Sequence, residues 1–149
     1  MINFFLLFSR QGKTRLAKWF SDTSHKDQKT QCKEITDMVL SRNHKLCNII
    51  EWQGKRIVYK RYASLYFAVC IDPGDNELLA LEIIHIYVEV LDRYFGNVCE
   101  LDLIFNFHKA YYILDELLIN GVLQETSKKD VLRFISQQDE LLAEKDDKK

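Results

Sequence analysis

The residues of this 149-residue chain with the capacity for chemistry are four histidines, four cysteines and a few carboxylates and hydroxyls. His25, His44, His85 and His108 share no ligand spacing with one another or with Cys32, Cys47, Cys70 and Cys99, so no metal cage is expected. The cysteines are far apart and form no C-x-x-C pair. Cys32, Cys70 and Cys99 lie in apolar patterns and read as small buried thiols, not a disulfide framework. The Asp115-Glu116 pair on a helix could be acid–base machinery, but it reads as a solvated face. Ser64 and Ser127 lack the Gly-x-Ser-x-Gly setting of a nucleophile elbow. Gly12-Lys13-Thr14 matches the end of a phosphate-binding loop, yet Leu7 stands where the first glycine is required, and the segment joins two strands. Gly12 is therefore a turn glycine. No catalytic constellation, cofactor cradle or metal site is expected, and the chain reads as a binding module, not an enzyme.

The charges support that reading. Apolar residues make up 47% and charged residues 29%, with a net charge of -1, which suits one packed domain and lacks the basic footprint of a nucleic-acid binder. Arg10, Lys13, Arg15 and Lys18 cluster in and after the first turn, suited to receiving a carboxylate. Lys55, Arg56, Lys60 and Arg61, near Tyr59, Tyr62 and Tyr66, could stack bases or meet an acidic surface. At this net charge they read better as the polar side of an amphipathic strand.

The elements that must position these residues follow from periodicity. Residues 2–8 form an apolar strand, and no basic residue precedes it as in a signal peptide; a turn through Gly12 leads to its partner over 14–20. Ser24 caps a helix to about Leu40, with Asp27 in the capping-box position and Cys32, Ile35 and Val39 on one face. Strands are predicted over 46–52 and 55–62 around Gln53-Gly54, then over 65–71, where an unbroken apolar run implies a central strand covered on both faces. Asn76 or Asp75 caps a helix to Tyr94 or Phe95 that is apolar on nearly every side, so part of it is expected to meet another chain. A further helix is predicted over 98–119 with an αL stop at Asn120-Gly121, and a short one from Ser127 to about Leu142. Residues 143–149 are charged and expected to be a disordered tail beyond a single 1–142 domain. The expected class is α+β: a five-stranded antiparallel sheet with one helix on one face, two on the other and a short C-terminal helix.

Several long words in the right order resemble the sigma (small) subunits of clathrin adaptor-protein complexes, a longin-like family. They are Gly12-Lys13-Thr14-Arg15-Leu16-Ala17-Lys18-Trp19, Tyr59-Lys60-Arg61-Tyr62-Ala63-Ser64-Leu65-Tyr66-Phe67, Asp75-Asn76-Glu77-Leu78, Tyr87-Val88-Glu89-Val90-Leu91-Asp92, residues 97–107, and Glu125-Thr126-Ser127. Glu51-Trp52 and Thr126-Ser127-Lys128-Lys129 look most like the first complex, that of the trans-Golgi network and endosomes, with the plasma-membrane complex next. The short Gln53-Gly54 turn lacks the insertion typical of the third complex.

The resemblance implies a heterotetramer of a gamma-type large chain, a beta-type large chain, a medium (mu) chain and this small chain. It implies a cytoplasmic protein, peripheral on trans-Golgi and endosomal membranes and coated vesicles, meeting clathrin and membrane only through the complex, without cofactor or nucleic acid. It also implies a groove for acidic dileucine signals, Asp/Glu-x-x-x-Leu-Leu/Ile, in cargo tails. Ala63, Leu65, Val88, Asn97, Val98 and Leu103 would line it for the two leucines, Arg15 would help neutralise the upstream acid, and Tyr62 would border it. A longin-type regulatory domain of another trafficking protein is the alternative. Such domains precede a coiled coil or membrane anchor, and this chain ends soon after its last predicted helix.

Overall fold

The computed structural model describes residues 2–42, 45, 47–119 and 122–123. The expectations for His44, the Asn120-Gly121 stop, the helix from Ser127 and the tail lie outside these residues.

β1 (Ile2–Ser9) is buried along its whole length, so both its faces need cover. Its side chains alternate between two cores. Phe5 and Leu7 join the core beneath the later helices, and Phe4, Leu6 and Phe8 the core beneath the first helix. β1 pairs antiparallel with β2 (Thr14–Trp19) on one side and β5 (Leu65–Ile71) on the other. β4 (Lys55–Tyr62) and β3 (Ile49–Trp52) complete the order β2-β1-β5-β4-β3. β5 is thus the central strand, as its apolar run required. β3 is shorter than expected and begins at Ile49 rather than at residue 46. The β3–β4 turn needs two left-handed residues, and Gln53 (φ 49°) and Gly54 (φ 73°) provide them.

α1 (His25–Ser41) covers one face. Ser24 caps it by accepting from the Asp27 N–H at 3.2 Å, and Ile35 and Val39 enter the core. α2 (Glu77–Phe95), capped by the Asn76 side chain and ended by Gly96 at φ 67°, covers the other. Ala80, Ile83, Ile84, Tyr87, Val88, Val90 and Leu91 are all buried within this chain. Most of the apolar surface of α2 is thus used inside this chain, and the part left for another chain lies at its first turn. Its exposed large apolar residues are Leu78 and Leu79, at its first turn. Tyr87 packs against Phe5 and Phe67 and donates its hydroxyl to the Ala110 carbonyl at 2.6 Å, while burial raises its phenol pKa well above the ordinary value.

The single helix predicted over 98–119 is two helices, α3 (Glu100–Phe105) and α4 (Phe107–Leu117), followed by a two-residue strand β6 (Leu118–Ile119) paired with β7 (Val122–Leu123). The break lies at Asn106, whose backbone (φ -126°, ψ 39°) leaves the helical region while its N–H still bonds the Asp102 carbonyl. It lets Leu103 and the Ala110, Ile113, Leu114, Leu117 stripe each face the core. Leu101, Ile104, Phe105 and Phe107 are left exposed on the outer side.

The thiols also differ from expectation. Cys70 is buried and Cys32 half-buried, but Cys99 is exposed at the N-cap of α3, as is Cys47. Burial pushes the Cys70 thiol up to about 12. Alkylation of the native protein at mildly alkaline pH should therefore label Cys47 and Cys99 and spare Cys70 until denaturant is added. Peptide mass spectrometry before and after unfolding checks this.

Candidate functional site

Among the described residues no group of three or more His, Cys, Asp and Glu could hold a metal, and no helix is long and apolar enough to cross a membrane. The residues singled out for chemistry are spent in surface contacts. His85 meets Glu89 one turn on at 2.6 Å, His108 is exposed against Phe107, and Asp115 pairs with Lys18. Arg56 of the basic strand pairs with Glu77 at the start of α2.

Of the residues expected to line a groove, Asn97 and Val98 lie on the linker between α2 and α3, and Val98 is joined through Asp92 to Tyr62 at the end of β4. Leu65, Val88, Val98 and Leu103 belong to one apolar core, with Tyr62 packed against it. They are closed off from solvent: Leu65 is 0% exposed, Leu103 1%, Val98 3% and Val88 8%. The two other expected residues are exposed, both in left-handed backbone: Ala63 at φ 53° in the β4–β5 turn, two residues before Leu65, and Asn97 at φ 68° in the linker, next to Val98. Tyr62 and Val88 also border a surface depression of about 280 Å³ with Lys60, Phe67, Ile84, His85, Glu89 and Asp92. A larger depression, about 470 Å³ between β2 and α1, contains none of the residues expected at the groove.

Asp92, which the sequence reading passed over, holds the arrangement together. One carboxylate oxygen accepts the Tyr62 hydroxyl at 2.6 Å and the other the Val98 N–H at 2.9 Å. Its backbone carbonyl receives the Gly96 and Asn97 N–H groups at 2.8 and 3.1 Å. One residue thus fixes the end of β4, the end of α2 and the entry to α3. The hydrogen bond to Asp92 raises the Tyr62 phenol pKa, with burial and the carboxylate's charge adding to it. Ten residues beyond Asp92, Asp102 accepts from the Cys99 N–H at 2.9 Å and sets the first turn of α3.

Arg15 stands on β2, half-buried, and its carboxylate partner is internal. Its Nε and Nη2 lie 2.9 and 2.7 Å from Oε1 of Glu100, the first residue of α3. The cluster's suitability for a carboxylate was legible, whereas a partner 85 residues away was not. The same edge strand is stitched to α4 by Tyr111, whose hydroxyl receives the Ala17 N–H and donates to the Ala17 carbonyl, and by Lys18 with Asp115. Arg15, Lys18 and Ala17 together seat the α3–α4 layer on the sheet edge.

Comparison with known proteins adds an independent line. A family model described as the clathrin adaptor complex small chain matches residues 1–142. The chain is 68% identical to the AP-1 complex subunit sigma-2 of Dictyostelium discoideum, over 94% of this chain and 91% of that protein. It is 66% identical to the AP-1 complex subunit sigma-1 of Arabidopsis thaliana, over 95% and 88%. It is 58% identical to the AP-1 complex subunit sigma-1A of Homo sapiens, over 99% and 92%. Its fold is similar to a chain of a homology model of the full-length AP-3 complex in a stretched open conformation, with TM-score 0.75, 27% identity and 99% of each chain covered.

If Asp92 is the joint described, Asp92→Ala should cost about 1–3 kcal/mol by chemical denaturation, the penalty for orphaning the part-buried Val98 N–H. Tyr62→Phe, which leaves that bond intact, should cost less. Asp92→Ala should also lower the Tyr62 phenol pKa toward its ordinary value, read by ultraviolet phenolate absorbance. Folding raises this pKa, so the contact's contribution is present below the ordinary tyrosine value and lost as pH rises through the folded one.

Proposed function

The chain belongs to the clathrin adaptor small-chain family, and from that premise we propose that it is the small subunit of an AP-1-type heterotetramer that binds acidic dileucine signals in cargo tails. Its partners on this reading are a gamma-type and a beta-type large chain and a medium chain. It acts in the cytoplasm at trans-Golgi and endosomal membranes, reaching clathrin and lipid through the complex. The identities to AP-1 sigma subunits favour this complex over the plasma-membrane one.

One observation carries the binding assignment. Leu65, Val88, Val98 and Leu103 share one apolar core, exposed Ala63 and Asn97 adjoin Leu65 and Val98 in the chain, and Val98 stands two residues before Glu100, the partner of Arg15. Two leucines entering such a site gain roughly 1.5–3 kcal/mol each when fully buried. A partly screened arginine–carboxylate contact adds about 0.2–1 kcal/mol, so it selects more than it holds. Moving the side chains that close the cluster and ordering the tail subtract from this gain, so affinity in the micromolar range is expected. Recruitment to membranes then depends on several weak contacts acting together.

The test is co-expression with gamma-type and alpha-type large chains in parallel, then fluorescence anisotropy with a labelled Glu-x-x-x-Leu-Leu peptide. A stable gamma-type complex is expected, with Arg15→Glu weakening the peptide and Val88→Asp removing it while assembly persists. Ala63→Asp, at an exposed left-handed position that tolerates Asp, should remove binding without touching the core. Loss of assembly along with binding would make Val88 structural. Intact complexes that ignore the peptide would leave the chain a scaffold only.

A further inference from the structure

We propose that Glu100 is a built-in competitor for the signal's acidic residue and thereby sets how strongly the site discriminates acidic from neutral signals. This rests on the dileucine reading above. Arg15 is the cation that reading assigns to the incoming carboxylate, and in the structure it is already engaged by Glu100. Both side chains are 24% exposed, so the pair is only partly screened by water.

The geometry makes the pair replaceable. Both Arg15 nitrogens converge on one oxygen, Oε1, instead of meeting two carboxylate oxygens in parallel. A guanidinium bonds most strongly in the two-oxygen fork, which a carboxylate on a free peptide can adopt and one fixed at the start of α3 does not. Glu100 also lies two residues beyond Val98 on the linker that closes the apolar cluster. The acid exchange and the leucine contacts therefore occur along one short stretch of chain. An arginine that is already neutralised gives an incoming acid only the difference between two ion pairs. Acid selectivity is correspondingly modest while Glu100 is present, and it grows when Glu100 is removed.

The experiment uses the assembled complex and two peptides, Glu-x-x-x-Leu-Leu and Gln-x-x-x-Leu-Leu, titrated against wild type, Glu100→Gln, Arg15→Gln and the double variant. Glu100→Gln should tighten the acidic peptide by about 1.5-fold to fivefold, the span of a partly screened arginine–carboxylate pair, and leave the neutral peptide unchanged. In the Arg15→Gln background the effect of Glu100→Gln should vanish. Weaker acidic binding in Glu100→Gln would mean that Glu100 orients Arg15, and equal tightening of both peptides would mean that it holds the apolar cluster shut. Either result, or no change, overturns the proposal. Assembly yield and thermal midpoint of each variant separate these results from misfolding. If Ala63→Asp leaves peptide binding intact, or wild type binds neither peptide, it is the dileucine site itself that fails.

Discussion

The fold depends on covering two strands on both faces. β1 is buried at every position, and β5 at six of its seven. No single helix layer can satisfy both sides. α1 closes one side with Ile35 and Val39, and α2 closes the other with a broad apolar surface around Tyr87. That demand accounts for most of the apolar surface of α2. It faces the sheet through Ile84, Tyr87 and Val88, and α4 through residues such as Tyr87, whose hydroxyl reaches Ala110. The candidate site lies where this second layer turns. α2 ends at Phe95 with Gly96 as its cap, and the linker, tied to the end of β4 through Asp92, crosses to α3 beside the edge strand β2.

At that crossing, apolar burial is combined with a small set of directional bonds. Burial sets where Val98 and Leu103 go, but it does not set the path of the chain between α2 and α3. Asp92 does so by accepting four hydrogen bonds, two at its carboxylate and two at its carbonyl. Arg15 and Glu100 then hold α3 against β2. A partly exposed pair of this kind contributes little to overall stability. Its consequence is local: it decides which carboxylate the arginine meets and where the linker rests.

Much of the fold was legible in the sequence. β4 and β5 were readable to the residue, because Gln53-Gly54 and the Ala63-Ser64 step punctuate an alternating strand and an unbroken apolar one. The Ser24 cap was readable from its spacing to the first helical turn. The break at Asn106 was not, because Leu101, Leu103, Ile104, Phe105 and Phe107 read as one helix by composition. Which of them faces the core is a tertiary choice: Leu103 is 1% exposed and Phe105 77%. Cys99 was misjudged for the same reason, since an apolar neighbourhood in sequence says little about a helix-capping position at the surface. The residues of the candidate groove came from resemblance, while Asp92 and Glu100 have no local signature. Each is defined by a partner distant in sequence: Tyr62, 30 residues before Asp92, and Arg15, 85 before Glu100.

The closed state of the apolar cluster bears on how a site of the proposed kind would work. Leu65, Val98 and Leu103 have almost no exposed surface, so two incoming leucines cannot bind without moving side chains that already pack well. Such a site exchanges internal apolar contacts for intermolecular ones, and only the difference appears as affinity. The acidic partner follows the same logic, since a signal carboxylate would exchange with Glu100 and would not fill an empty place. Both halves of the signal would then meet a pre-satisfied counterpart. A site built on exchange is weak toward any single peptide and stable when unoccupied. Those two properties would suit the proposed role, in which a signal would be captured only when several contacts of the whole complex reach the membrane together.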